Sequence, residues 1–173
     1  LTNEVRADAL EIKVFNRSIQ KSEKWVSKFN GLLSTTPAEA AKDSDIVFMC
    51  VGNDNDVDHV VRGENGIMSS IPEDSIIVDH TTASAEIAKE LYIYCKSSKN
   101  VSFIDAPVSG GQAGAENGQL TIMVGGDEQA YVKIEPLLKS YAKNSTLIGN
   151  SGSGQLAKMV NQICIAGLLQ GLS

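Results

Sequence analysis

Short runs of β-branched and apolar residues alternate with longer stretches of helical periodicity along the whole chain. The first run is Glu11–Phe15, followed by a helical pattern over Ile19–Phe29, a second run at Gly31–Thr35 and a short helix opening at Pro37. The alternation continues through Asp45–Val51 (DIVFMCV), a helix near Asp56–Arg62, Ser75–Asp79 (SIIVD), a helix near Ser84–Ser97, and Val101–Ala106 (VSFIDA). Such alternation predicts an α/β fold of Rossmann type, with a mostly parallel, doubly wound sheet. The near-continuous apolar runs are those of strands covered on both faces. After Ala106 the pattern predicts a glycine-rich loop, a strand at Leu120–Val124, a helix over Glu128–Tyr141, a strand at Thr146–Ile148 and a glycine-rich turn at Gly149–Gly154.

The final segment, Gln155–Leu172, is apolar on nearly every face, the mark of a helix buried between other elements. The rest of the chain offers too little to bury it. With a start at Leu1 that reads as the tail of a helix, this predicts a piece of a larger protein. Residues 1–150 then form the sheet domain, and 151–173 begin a helix leading to an all-helical domain outside this chain.

With 173 residues and 42% hydrophobic content, the chain is large enough for one core. A net charge of -6 and a pI near 4.9 repel phosphate backbones and acidic lipid headgroups, so no nucleic acid and no membrane surface is an expected partner. Cys50, Cys95 and Cys164 are odd in number and lack any C-x-x-C spacing, which predicts buried thiols in a reducing compartment, with neither a disulfide framework nor a metal site. No run approaches the roughly 20 apolar residues of a membrane span, and no signal-peptide pattern opens the chain. A cytoplasmic location is the expectation.

In open parallel α/β sheets, ligands bind beyond the carboxyl ends of the strands. Four such ends carry small, polar or basic residues here: Asn16-Arg17-Ser18, Cys50-Val51-Gly52-Asn53, His80-Thr81-Thr82 and Pro107-Val108-Ser109-Gly110-Gly111. The first is equally readable as a helix cap. In a dinucleotide-binding fold it meets the adenosine ribose, where an Arg accommodates a 2′-phosphate, so Asn16 and Arg17 favour NADP over NAD. Thr82 or Ser84 caps the next helix or faces a ligand, and the lone His59 and His80 fit surface or structural roles. At Ser109-Gly110-Gly111, two adjacent glycines permit positive φ, so that amides and a hydroxyl converge on one anion, a carboxylate cradle; the alternative is a tight turn.

Near the start of the last helix, Lys158 shares a face with Asn161 and Gln162, three and four residues on. An ammonium in so apolar a helix is costly unless it is paired or works, and a desolvated lysine suits general acid–base chemistry; exposure at the helix start is the plainer alternative.

Together these motifs resemble the β-hydroxyacid dehydrogenase family, which includes 3-hydroxyisobutyrate dehydrogenase, tartronate semialdehyde (2-hydroxy-3-oxopropionate) reductase and, more distantly, 6-phosphogluconate dehydrogenase. DAPVSGGQAGAENGQLTIMVGG, from Asp105 to Gly126, looks like its substrate-binding segment, and GSGQLAKMVNQ, from Gly152 to Gln162, like its catalytic helix. The resemblance implies an NAD(P)-dependent oxidoreductase acting on a small 3-hydroxyacid or semialdehyde carboxylate, a homo-oligomer when full length. By that resemblance Lys158 is the catalytic acid/base. Ser109, Gly110 and Gly111 hold the substrate carboxylate, Asn161 or Gln162 positions the reacting oxygen, and Asn16, Arg17, Cys50, Val51 and Thr82 face the cofactor. Family members open with a strand and a G-x-G-x-x-G loop, and nothing before Glu11 resembles it. By itself, the chain is expected to bind cofactor poorly and turn over nothing. The alternative from another class is a non-catalytic homologue using the dinucleotide fold as a binding or scaffold module.

Overall fold

The computed structural model describes residues 11–173; the reading of Leu1 as a helix tail lies outside them. Parallel strands β1 (Lys13–Val14) and β2 (Leu32–Leu33) flank helix α1 (Ile19–Lys28) and form a two-stranded sheet. Helix α2 (Pro37–Ala41) leads into the main sheet, where β3 (Ile46–Met49), β4 (Ile76–Asp79) and β5 (Ser102–Asp105) run parallel. Their crossovers are α3 (Asp54–Arg62) and α4 (Ala85–Lys99).

Beyond β5 the chain departs from simple alternation. The expected glycine-rich loop contains a short strand, β6 (Val108–Ser109), and a short helix, α5 (Gly111–Glu116). Strand β7 (Leu120–Gly125) then returns antiparallel to β5 and β6. The connection from 110 to 119 is shorter than the dozen or so residues a parallel crossover takes, which forces the reversal. Helix α6 (Glu128–Leu138) supplies a full crossover, and β8 (Ala142–Gly149) runs parallel to β7. Strand β8 starts four residues before the expected Thr146 because its outward positions, Lys143 and Asn144 among them, are polar and exposed; an apolar run marks only its end. Helix α6 stops short of the expected Tyr141, with Pro136 in its last turn.

Both faces of the sheet are covered, as the apolar strands required. On one, Ile77 and Phe103 pack with Val57 and Val61 of α3 and Leu91 of α4. On the other, Val78, Ile104 and Ile122 pack with Ile134 and Leu138 of α6. Within β4, neighbouring residues therefore serve opposite cores, the period-2 geometry of a strand.

Helix α7 (Ser153–Leu172) starts two residues earlier than the sequence suggested and packs its first turns on β5, β7, β8 and α4. Past Lys158 it loses cover: Ile163, Leu168, Leu169 and Leu172 are 63–78% exposed. Among the described residues, no helix is long and apolar enough to cross a membrane.

Candidate functional site

The carboxyl ends of β3, β4 and β5 open on one side of the main sheet, and the start of α7 is fastened to them. The fastening begins at Asp105, the last residue of β5, which is fully buried. Its Oδ1 accepts from the Gly152 amide at 2.7 Å and its Oδ2 from the Gln155 amide at 3.0 Å. Helix α7 has no side-chain cap of its own, since Gly152 stands at its N-cap position. A carboxylate some fifty residues away therefore takes the orphan amides that a Ser or Asp cap would satisfy. Burial pushes the Asp105 carboxyl above the ordinary carboxylate range, while the amides of Gly152, Gln155 and Gly154 pull it back.

Two glycines make room for this joint. A Cβ on Gly125 would stand 2.7 Å from Asp105 Oδ1, and one on Gly154 would run into the backbone oxygens of Met123 and Asp105. Only hydrogen in place of a side chain lets α7 approach β5 and β7 so closely.

A second tie joins α7 to the turn after β4. Thr81, buried, donates its amide to Asp79 Oδ1 at 2.8 Å and accepts the Val51 amide on Oγ1 at 2.9 Å. The Gln155 side chain donates to the Thr81 carbonyl at 2.7 Å and accepts from the Ala83 amide at 3.0 Å. Burial raises the Asp79 carboxyl to about 6, against its hydrogen bonds to Thr81. His80 points to the opposite core, as a structural histidine. Its Nδ1 lies 2.6 Å from the Ala106 carbonyl, so it carries the proton there, and Nε2 is left to accept from the Tyr141 hydroxyl at 2.8 Å. His59 is exposed on α3.

Lys158 is the sixth residue of α7 and only 7% exposed. The plainer alternative, an exposed lysine, is thereby set aside. No ion-pair partner faces its Nζ among the described residues. Asn161, one turn on, is half-buried, and its Nδ2 is buried without a hydrogen-bond partner, whereas Gln162 is exposed. The structure thus separates two carboxamides that the sequence left equivalent.

Ser109 ends β6, paired with Thr121, and is half-buried. Gly110 and Gly111 follow at φ +132° and +61°, both exposed, with nothing within 4 Å of where a Gly111 side chain would stand. Val51 is half-buried, and Thr82 and Cys50 are exposed at the strand ends. The cap of α4 is Ser84, whose Oγ accepts from the Ile87 amide at 3.1 Å, leaving Thr82 outside that role. Asn16 is exposed and accepts the Ser18 amide at 2.9 Å, a local turn. Arg17 is exposed and lies 3.5 Å from Asp56 on α3, a carboxylate the sequence did not place beside it.

The expectation of three buried thiols is corrected: Cys95 is buried, but Cys50 and Cys164 are exposed. Cys50 directly follows the end of β3, and Cys164 lies on the uncovered stretch of α7. Among the described residues no cluster of His, Cys, Asp or Glu could hold a metal ion. A hollow of about 280 Å³ between α3 and α4, bordered by Ser84, is lined by the carboxyl groups of Asp54, Asp58, Glu86 and Glu90 against the one cation Arg62, an unfavourable seat for a pyrophosphate or a carboxylate.

Residues 1–149 match the family described as the NAD binding domain of 6-phosphogluconate dehydrogenase, and the chain belongs to that family. It is 50% identical over 163 residues to an uncharacterized oxidoreductase of Shewanella frigidimarina (strain NCIMB 400), covering 94% of this chain and 56% of the relative. It is 40% identical over 162 residues to probable 3-hydroxyisobutyrate dehydrogenase-like 1, mitochondrial, of Arabidopsis thaliana, covering 93% and 48%. The solved structure of 3-hydroxyisobutyrate dehydrogenase from Mycobacterium tuberculosis with L-serine superposes at a TM-score of 0.83 and 26% identity, over 92% of this chain and 53% of that one. The chain thus spans about half the length of these relatives and is related to 3-hydroxyisobutyrate dehydrogenase-like oxidoreductases.

Proposed function

We propose that this protein is a nicotinamide-dependent 3-hydroxyacid dehydrogenase, acting between NAD(P)H and a small semialdehyde carboxylate of the 3-hydroxyisobutyrate or 2-hydroxy-3-oxopropionate type. The observation that carries the reading is Lys158, buried to 7% exposure without an ion-pair partner among the described residues, on a helix locked to the strand ends. A lysine side chain tucked in this way, with no carboxylate holding it among the described residues, is available for proton transfer. Beside a developing alkoxide it is a proton donor.

The crevice suits a dinucleotide. Its floor is strand ends that carry small side chains, and beyond β6 stand the exposed Gly110 and Gly111, the second with open space where a side chain would stand. When bound, the nicotinamide supplies the hydride. Arg17, exposed and among the described residues touched only by Asp56 at 3.5 Å, is open to grip a 2′-phosphate, and Asn16 adds no charge to repel it, which favours NADP. Cys50, Val51 and Thr82 line the middle of the crevice. Ser109 and the amides of Gly110 and Gly111 bind the substrate carboxylate. As hydride adds to the carbonyl carbon, Lys158 gives the proton on Nζ to the carbonyl oxygen, and the aldehyde becomes an alcohol. Asn161, with its buried unpartnered Nδ2, holds that oxygen. L-serine, present in the M. tuberculosis structure, is itself a 3-hydroxycarboxylate, consistent with a cradle for that class.

The test is NADPH oxidation by the full-length protein against a panel of small semialdehydes, alongside Lys158→Ala at matched folded fraction. Turnover is expected to fall about 10²–10⁴-fold in the variant. No turnover with any semialdehyde, despite measurable NADPH binding, would sink this reading in favour of a non-catalytic binding module.

A further inference from the structure

Gln155 belongs to neither the cradle nor the proton donor, yet it is 3% exposed and every polar group it carries is engaged. Its amide donates to Asp105 Oδ2, its Nε2 donates to the Thr81 carbonyl, and its Oε1 accepts from the Ala83 amide. The partners fix the orientation of the carboxamide, since a carbonyl only accepts and an amide only donates. The two side-chain bonds fall on residues 81 and 83, so they bracket Thr82, which is exposed just beyond the end of β4. Lys158 lies three residues further along α7, one turn away on the same face. A single side chain therefore spans the turn after β4 and the helix that carries the lysine.

From this we infer that Gln155 is a positioning residue, setting the separation between the cofactor-facing turn at Thr82 and the proton donor Lys158. The inference rests on the proposed role of Lys158. Hydride and proton must reach two atoms of one carbonyl group, so the hydride-bearing face and Nζ need a fixed spacing. A misplacement of about 1 Å between reacting groups lowers rates on the order of a hundredfold. The bracket has a consequence for binding too. A cofactor that settles the 81–83 turn also settles the first turns of α7, because the two move as one hydrogen-bonded unit.

Two variants of the full-length protein and two readouts test it. Gln155→Leu removes both side-chain bonds. It is expected to lower kcat about 10–100-fold, with KM and NADPH affinity changed about threefold or less, and to raise the isotope effect seen with 4-deuterated NADPH as the chemical step becomes limiting. Gln155→Glu keeps the acceptor for Ala83 but, when ionised, sets an oxygen against the Thr81 carbonyl. Protonation restores the missing donor, so its kcat relative to the native protein is expected to recover as pH falls. A loss that only tracks the folded fraction, or a ratio flat across pH, would overturn the inference.

The second readout needs no substrate. NADPH is expected to slow hydrogen exchange at Leu156–Lys158 in the native protein and to leave it unchanged in Gln155→Leu. Coupled protection with no semialdehyde reduced would remove the dehydrogenase reading and leave the Gln155 bracket standing. No NADPH-dependent protection in the native protein removes the bracket whatever the turnover.

Discussion

The two ends of helix α7 invert the usual rule for burial. Its first turns bury polar side chains, with Gln155 and Lys158 at 3% and 7% exposure, while the remainder exposes apolar ones up to 78% at Leu172. Both stretches belong to one continuous helix, so the difference lies in what stands opposite. The first turns face Asp105, Thr81 and Ala83, groups able to meet each amide and carboxamide they present. The remainder faces no such neighbours among the described residues. For Gln155 polar burial is a matter of partners, whereas Lys158 is buried without an ion-pair partner among the described residues, so residue type alone does not set burial along this helix.

The largest expected effect comes from breaking the polar end. Asp105→Ala strips the carboxylate from two buried amides and is expected to destabilise the fold by about 2–4 kcal/mol, read as a lower urea midpoint. Asp105→Asn, which keeps one acceptor and turns a donor toward the other amide, should lose less. Equal stability of Asp105→Ala and the native protein would show that the joint does not hold α7.

A smaller effect sharpens the same contrast through pH. The folded state raises Asp79 from its ordinary 3.8 to about 6. Between those values the folded protein holds a proton the unfolded chain has released. Stability from this group is therefore fullest below about pH 4, falls as pH rises toward 6 and is flat above, a change on the order of 2–3 kcal/mol. In Asp79→Asn, which still accepts the Thr81 amide, that part of the slope is expected to vanish in urea titrations across pH 4–7. Identical slopes would refute the assignment.

The smallest effect belongs to the apolar end. Leu168→Gln is expected to shift stability by no more than about 0.5 kcal/mol when measured on this chain alone, since the side chain is already 63% exposed. Light scattering should show less self-association. A loss of several kcal/mol would mean that Leu168 is covered in solution.

Much of this arrangement was legible in the residues. Periodicity located the parallel strands β3–β5 with their helices, because apolar runs and turn residues are local signals. The burial of Lys158 was foreshadowed by a charge in an apolar helix, and the positive φ at Gly110 and Gly111 by the pair of glycines. Strand β6 and the polar first half of β8 were not legible, since each owes its existence to pairing with β7. Asp105 was read as a strand residue within a motif, and Gln155 as one more position in an apolar helix. Neither carries a local mark, because their partners lie 47 to 74 residues away. A signal was present in Gly152-Ser153-Gly154, which lacks an ordinary cap and so left the helix's orphan amides to be satisfied from elsewhere.

The sequence by itself determined the α/β class, the order of elements through β5, the covered strands and the chemical types available at each strand end, all of which follow from periodicity and side-chain identity. Only the tertiary structure decided that β7 runs antiparallel, that Asn161 and not Gln162 turns inward, and that Asp105, Thr81 and Gln155 bind the start of α7 to the strand ends. The physical reason is that a hydrogen bond is directional and satisfied by proximity in space. No pattern along the chain says which distant carboxylate will stand where a helix has left its first amides bare.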